Sequence, residues 1–190
     1  NGAHATNKLW DLTWFNVSEN PIAVQFTIGF ADLGTNQWNA PFGFSFQIVN
    51  VYIDTDRVPG SGNAAMISGP NAEVMSNFSW ETMVSIGGFP QTLFVTNDPG
   101  VGTFQQSGVT AVADPGRNTV TATVPKKYIN AAVMDPRTWG YVVVSGSQDG
   151  YGVGFYWRAV GVTAETWKGG GGALNGKNPN IYDMITPPWT

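Results

Sequence analysis

The sequence predicts an all-β fold: a single-domain antiparallel β-sandwich of the jelly-roll kind. Three observations predict it. Short runs alternate apolar and polar residues with a period of two, the signature of strands with one buried face. Turn-forming pairs such as Asn20-Pro21, Pro59-Gly60 and Pro115-Gly116 recur between those runs. The composition of the 190 residues is 24 Gly, 12 Pro, 13% aromatic and only 12% charged, which suits a turn-rich β protein and not a disordered one.

Along the chain, residues 1–10 read as an N-terminal strand or tail, and 11–190 as the sandwich. Leu9 to Val17 is the first strand candidate. Ile22, Val24, Phe26, Ile28 and Phe30 alternate with Ala23, Gln25, Thr27 and Gly29 in the next. Phe44 to Ile53 is a longer run whose apolar phase switches near Val49, so it predicts either a bulge or a strand buried on both faces. Trp80, Thr82, Val84 and Ile86 repeat the alternation, as do Val120, Ala122 and Val124 against Thr119, Thr121 and Thr123. Lys126 to Val133, after Pro125, is the one segment with a helical reading. Tyr141 to Val144 is a continuous apolar run suited to a central strand, and Phe155 to Val162 is a further candidate. Residues 168–180 form a Gly/Asn-rich loop.

Charge and composition exclude several functions. The net charge is −4 and Lys126-Lys127 is the only adjacent basic pair, so nucleic acid is not an expected partner. There is no Cys, which excludes disulfides and thiol chemistry. No stretch has the length of a membrane span, and no signal peptide is recognisable. The chain starts at Asn1 rather than Met and reads as a mature chain or an excised fragment. Abundant Asn, Thr and Gly with few charges point to an extracellular or cell-surface location.

Catalytic chemistry finds little support. The single histidine, His4, lies in the N-terminal segment, so a Ser-His-Asp triad or a histidine zinc site has no anchor. The four glutamates are Glu19, Glu73, Glu81 and Glu165, and no motif singles out an acid and a nucleophile. Glu81, beside Trp80, reads as a solvated strand residue. The glycines at 169–172 lack the Gly-Lys-Ser/Thr ending of a nucleotide loop. Neither haem nor a nucleotide is expected.

Binding chemistry finds more. Asp54 and Asp56 alternate at a strand end, followed by a Gly-rich turn with Asn63. Closely spaced oxygen ligands of this kind suit Ca²⁺, although the same aspartates also serve as turn caps. Trp14, Trp80 and Trp157 fall on strand patterns and read as core. Trp38, Trp139, Tyr151 and Trp189 fall near turns and read as glycan-stacking or interface aromatics. Asn16-Val17-Ser18 and Asn77-Phe78-Ser79 are N-glycosylation sequons.

One stretch carries a resemblance. It holds Asp32-Leu33-Gly34, then Trp38-Asn39-Ala40-Pro41-Phe42-Gly43-Phe44-Ser45, then the Tyr52 to Gly62 segment. With the Trp139 to Gly152 run and the later "WKGGGG" and "IYDMITP" segments, it resembles the C-terminal module of glucodextranase, also found on archaeal and bacterial surface proteins. The resemblance implies a β-sandwich like that of carbohydrate-binding modules and a non-catalytic accessory role.

Two functions follow as expectations. The first is a non-enzymatic structural subunit that polymerises with copies of itself at the cell surface, the N-terminal segment with Ala3, Ala5 and Leu9 adding as a strand to a neighbour. The alternative is a module that binds polysaccharide, an α-glucan or a cell-wall polymer.

Overall fold

The structure, a computed structural model, describes residues 8–67, 73–74, 78–97, 108–129 and 135–147, together with the strand pairing of 157–159, 167–168 and 183–185. Among the described residues the strands are β1 (Leu12–Glu19), β2 (Ala23–Phe30), β3 (Gln47–Asp54), β4 (Glu73–Val74), β5 (Thr82–Gly87), β6 (Phe94–Thr96), β7 (Thr110–Asp114), β8 (Thr119–Pro125), β9 (Gly140–Ser147), β10 (Trp157–Ala159), β11 (Trp167–Lys168) and β12 (Asp183–Ile185). They build two antiparallel sheets. The front sheet runs β1-β2-β8-β7 and the back sheet β10-β9-β3-β5-β6, with β12 also on β9 and a small β4-β11 pair beside them. The fold is an all-β sandwich.

The alternation read in β2 and β8 explains the front sheet. Val24, Phe26, Ile28 and Phe30 with Val120, Ala122 and Val124 point inward and are buried. They meet Val49, Val51, Ile53, Val84, Ile86 and Val143 of the back sheet. Phe26 stacks on Phe15 at 6.1 Å and meets the edge of Tyr141 at 6.3 Å, so aromatic rings fill part of the space between the sheets.

The back sheet is buried on both faces. All eight residues of β3 and all six of β5 are buried. Ile48, Tyr52, Met83, Val142 and Val144 form a second, smaller core with Met66, Val74 and Trp80. Trp80 meets the Tyr52 ring at 5.3 Å and donates its indole N–H to the Ala65 carbonyl. The phase switch near Val49 therefore marks a strand covered on two sides, and its register on β5 and β9 runs through without a bulge.

Loops close the rims. Phe42 donates its backbone N–H to Gly88 O, and Ala113 of β7 donates to Phe42 O, so the loop ties the outer edge of the front sheet to the end of β5. At the other rim, Lys8–Trp10 is a 3-10 turn, and buried Trp10 accepts a hydrogen bond from Ser145 at its carbonyl.

Several expectations are corrected. Leu9, expected in an assembly strand, lies in that 3-10 turn; its carbonyl accepts from Gln47 and its side chain packs on Gly34 of the same chain. Of the expected helix after Pro125, the described part is one 3-10 turn, Lys126–Tyr128. Trp139, expected at the surface, is 3% exposed, because the Pro136–Thr138 turn delivers it into the core beside Tyr141. Trp14, expected in the core, is 45% exposed.

Candidate binding surface

Trp14 reaches the surface through a bulge. Leu12 pairs with Phe30, but Trp14 pairs with Gly29, so the register shifts between them. A regular strand would put Leu12 and Trp14 on the same face. The extra residue turns both Thr13 and Trp14 outward while Leu12 and Phe15 stay buried. Gly29 then decides how the indole lies. A Cβ at Gly29 would stand 2.5 Å from Trp14 Cδ1 and Cε2. Only a residue without a side chain lets the ring settle flat against the strand beneath it.

Apart from exposed Val112, the rest of the outer front face carries short or polar side chains. Trp14, Gly29, Thr119 and Asp114 form one cross-strand row, and Asn16, Thr27, Thr121 and Val112 form the next. The Thr27 and Thr121 hydroxyls lie 3.2 Å apart, and Gln25 reaches Thr123 in the third row. A cleft of about 530 Å³ opens over this face, lined by Trp14, Thr27, Val112, Asp114, Arg117 and Thr121 among others. Ligand clefts commonly measure about 300–1,000 Å³. Its far wall is the 114–117 turn, where Asp114 Oδ1 accepts from the Arg117 N–H and Arg117 Nε lies 3.8 Å from Asp114 Oδ2.

An exposed indole over a field of hydroxyls and amides is a surface for stacking and hydrogen bonding. Among the described residues lining it, no nucleophile is paired with a base. The family model that matches this sequence, over residues 2–189, is that of the C-terminal binding-module, SLH-like, of glucodextranase. The chain belongs to that family. No curated protein matches it. As a member of the glucodextranase C-terminal module family it is a binding module and not an enzyme. No helix among its described residues is long and apolar enough to cross a membrane.

The module carries a second constellation at the end of β3. Asp54, Asp56 and Glu81 each bring one carboxylate oxygen within 4.8 Å of the others. Antiparallel pairing does this: Glu81 donates its backbone N–H to Ile53 O, which sets it across from Asp54. Asp54 Oδ1 accepts from Arg57 N at 2.7 Å, Asp56 Oδ2 from the Ser61 hydroxyl at 2.8 Å, and Glu81 Oε2 from Thr55 N at 2.7 Å. Glu81 Oε1 is buried, and no hydrogen bond reaches it. Gly62, with φ +73°, runs so close that a side chain there would strike this oxygen and the Trp80 carbonyl. Burial pushes the Asp54 and Glu81 carboxyls above the usual range, and the negative neighbours add to it. The Arg57 guanidinium opposes the shift at Asp54 from 4.0 Å.

Of the expected ligands, Asp54 and Asp56 meet, while the Asn63 amide donates to the carbonyls of Trp80 and Asn97. Trp38 is at the surface, edge-on to Phe46 at 5.1 Å, away from the Trp14 cleft lining. Asn16 is exposed on the same face as Trp14. Ala3, Ala5, Asn77, Tyr151 and Trp189 lie outside the described residues. Trp14 and Glu81 were missed by sequence reasoning. Nothing local in the sequence announces the bulge, and Glu81 joins the aspartates only through strand pairing.

Proposed function

We propose that this module binds polysaccharide, and that the front face around Trp14 is its sugar-binding surface, working outside the cell or at its surface. The observation that carries the reading is the Trp14 indole, half-exposed and flat over Gly29 in a cleft that three threonines, Asp114 and Arg117 line beside Val112 and Ala113. A pyranose ring has an apolar face of C–H groups and a rim of hydroxyls. The indole offers the first an aromatic plane, and the threonine rows offer the second donors and acceptors. Family membership supports a binding role, and the resemblance makes α-glucans the first ligands to try.

Affinity electrophoresis through gels containing dextran, pullulan, starch or purified cell-wall polysaccharide tests this. The expected result is retardation by at least one polymer, lost in Trp14→Ala while the circular dichroism spectrum and Tm stay unchanged. Absence of retardation by every polymer, or equal retardation of the variant, would overturn the reading. Sugar-free sedimentation in the same buffers addresses polymerisation through Ala3 and Ala5: growth of long homopolymers that Trp14→Ala leaves intact would favour that alternative.

We also propose that Asp54, Asp56 and Glu81 hold a Ca²⁺ ion. The support is the buried, unpartnered Glu81 Oε1 within a set of three hard oxygen donors. A rise in Tm with added Ca²⁺ that Glu81→Gln removes would bear this out. A Tm indifferent to Ca²⁺ and to chelator would refute it.

A further inference from the structure

The cleft has two ends of different chemistry, and the second end lies at the 114–117 turn. We infer that Asp114 and Arg117 form a second sugar subsite, that the bound chain runs across the strands from Trp14 to this pair, and that the ligand is a neutral polysaccharide. The inference rests on the polysaccharide reading above and adds direction and selectivity to it.

The row Trp14–Gly29–Thr119–Asp114 crosses all four strands of the front sheet. Its ends are three inter-strand spacings apart, roughly 14 Å, a stretch longer than one sugar ring. Trp14 sits at one end and leans over Gly29, toward the row's interior. Both residues of the pair line the same cleft.

The pair itself is set up for a diol. At 3.8 Å, Arg117 Nε and Asp114 Oδ2 are too far apart for a hydrogen bond and attract one another only weakly through solvent. Their side chains are 83% and 52% exposed. The guanidinium therefore keeps N–H donors and the carboxylate keeps lone pairs. Neighbouring hydroxyls of a pyranose supply one oxygen to accept from Arg117 and one O–H to donate to Asp114, both charge-assisted contacts. The turn sets the backbone of the pair, since the Arg117 N–H binds Asp114 Oδ1 and only Asn118 separates Arg117 from β8. An anionic sugar fits less well. Its carboxylate would gain Arg117 but face Asp114 beside it, on a chain of net charge −4.

Calorimetry with linear isomalto- and malto-oligosaccharides of graded length tests the inference, with polygalacturonate as the anionic probe. For the unaltered chain, affinity should rise about tenfold from disaccharide to tetrasaccharide as the second subsite fills. Arg117→Met, which leaves the Asp114 cap of the turn in place, should keep disaccharide affinity and lose that gain. Asp114→Asn should lose it too and, in addition, admit polygalacturonate. Trp14→Ala should lose binding at every length. An Arg117→Met variant with the full length gain, or an unaltered chain that takes polygalacturonate as tightly as the neutral sugars, would overturn the inference while leaving the Trp14 reading standing. Binding untouched by Trp14→Ala would overturn the reading beneath it.

Discussion

Residue by residue, the binding face depends on what is missing at position 29. Gly29→Ala keeps Trp14 in the chain but puts a methyl group where the indole lies. The expected outcome is loss of polysaccharide retardation with the indole lifted off the sheet, seen as a red-shifted Trp fluorescence. Retained binding in that variant would show that a flat indole is not needed. Asn16 offers a second check, since it stands two residues from Trp14 on the same exposed face. A glycan attached there would cover the cleft. Chain made in a glycosylating host should bind polysaccharide less well than Asn16→Gln made in the same host, and equal binding by both would count against occlusion. At the acidic cluster, the Asp54 and Glu81 carboxyls titrate above their unfolded values because burial opposes ionisation. A carboxyl raised in this way binds its proton more tightly folded than unfolded. Its contribution to stability is present at low pH and is lost as pH rises through its folded pKa. In chelator, Tm should therefore fall as pH rises through the window just above the usual carboxylate range, and Glu81→Gln should flatten that dependence. A Tm that climbs through the same window would contradict the assignment.

At the level of elements, the bulge in β1 and the two-sided burial of β3 place the surfaces. The bulge converts a strand that would bury a tryptophan into one that displays it, at the edge of the front sheet. Removing one residue there, Thr13, would restore simple alternation, with Leu12 and Phe15 inward and Trp14 still outward across from Gly29. That deletion variant should keep its indole exposed and its polysaccharide retardation, and protection of the indole from acrylamide quenching would contradict this register. β3 is hydrogen-bonded on both sides and covered on both faces. This rigid strand ends in Asp54, so the carboxylate is held by the core. The loop around Phe42 occupies part of the β7 edge, which limits strand addition there.

For the whole molecule, the sandwich is a rigid support whose two faces differ. The front sheet is open to solvent on its outer face, and the back sheet is covered by the second core. Core substitution should therefore unfold the module without a selective effect on sugar. Phe26→Ala, at a fully buried ring, is expected to cost about 3–5 kcal/mol, read as a large drop in the denaturation midpoint. Sugar binding should in turn stabilise the fold. Saturation at a hundredfold excess over Kd raises unfolding free energy by about 2.7 kcal/mol, a shift that Trp14→Ala should abolish. Because the proposed ligand is neutral, this shift should persist from low to high salt; a steep salt dependence would point to a charged ligand instead.

The sequence by itself determined the fold class and most of the strands. Apolar residues two apart, as in Val24, Phe26 and Ile28, can share a buried face only in an extended chain, and the Pro/Gly turns divide those runs. It also singled out Asp54 and Asp56, because their spacing is local. Only the tertiary structure decided the remainder. Whether Trp14 faces in or out depends on one extra residue against a partner strand. Whether Trp139 is surface or core depends on which layer its turn packs against. Glu81 joins the two aspartates across a strand pair, and Asp114 and Trp14 share a row only after four strands are laid side by side. Each of these is a relation between residues distant along the chain, set by register and packing, which local pattern does not encode.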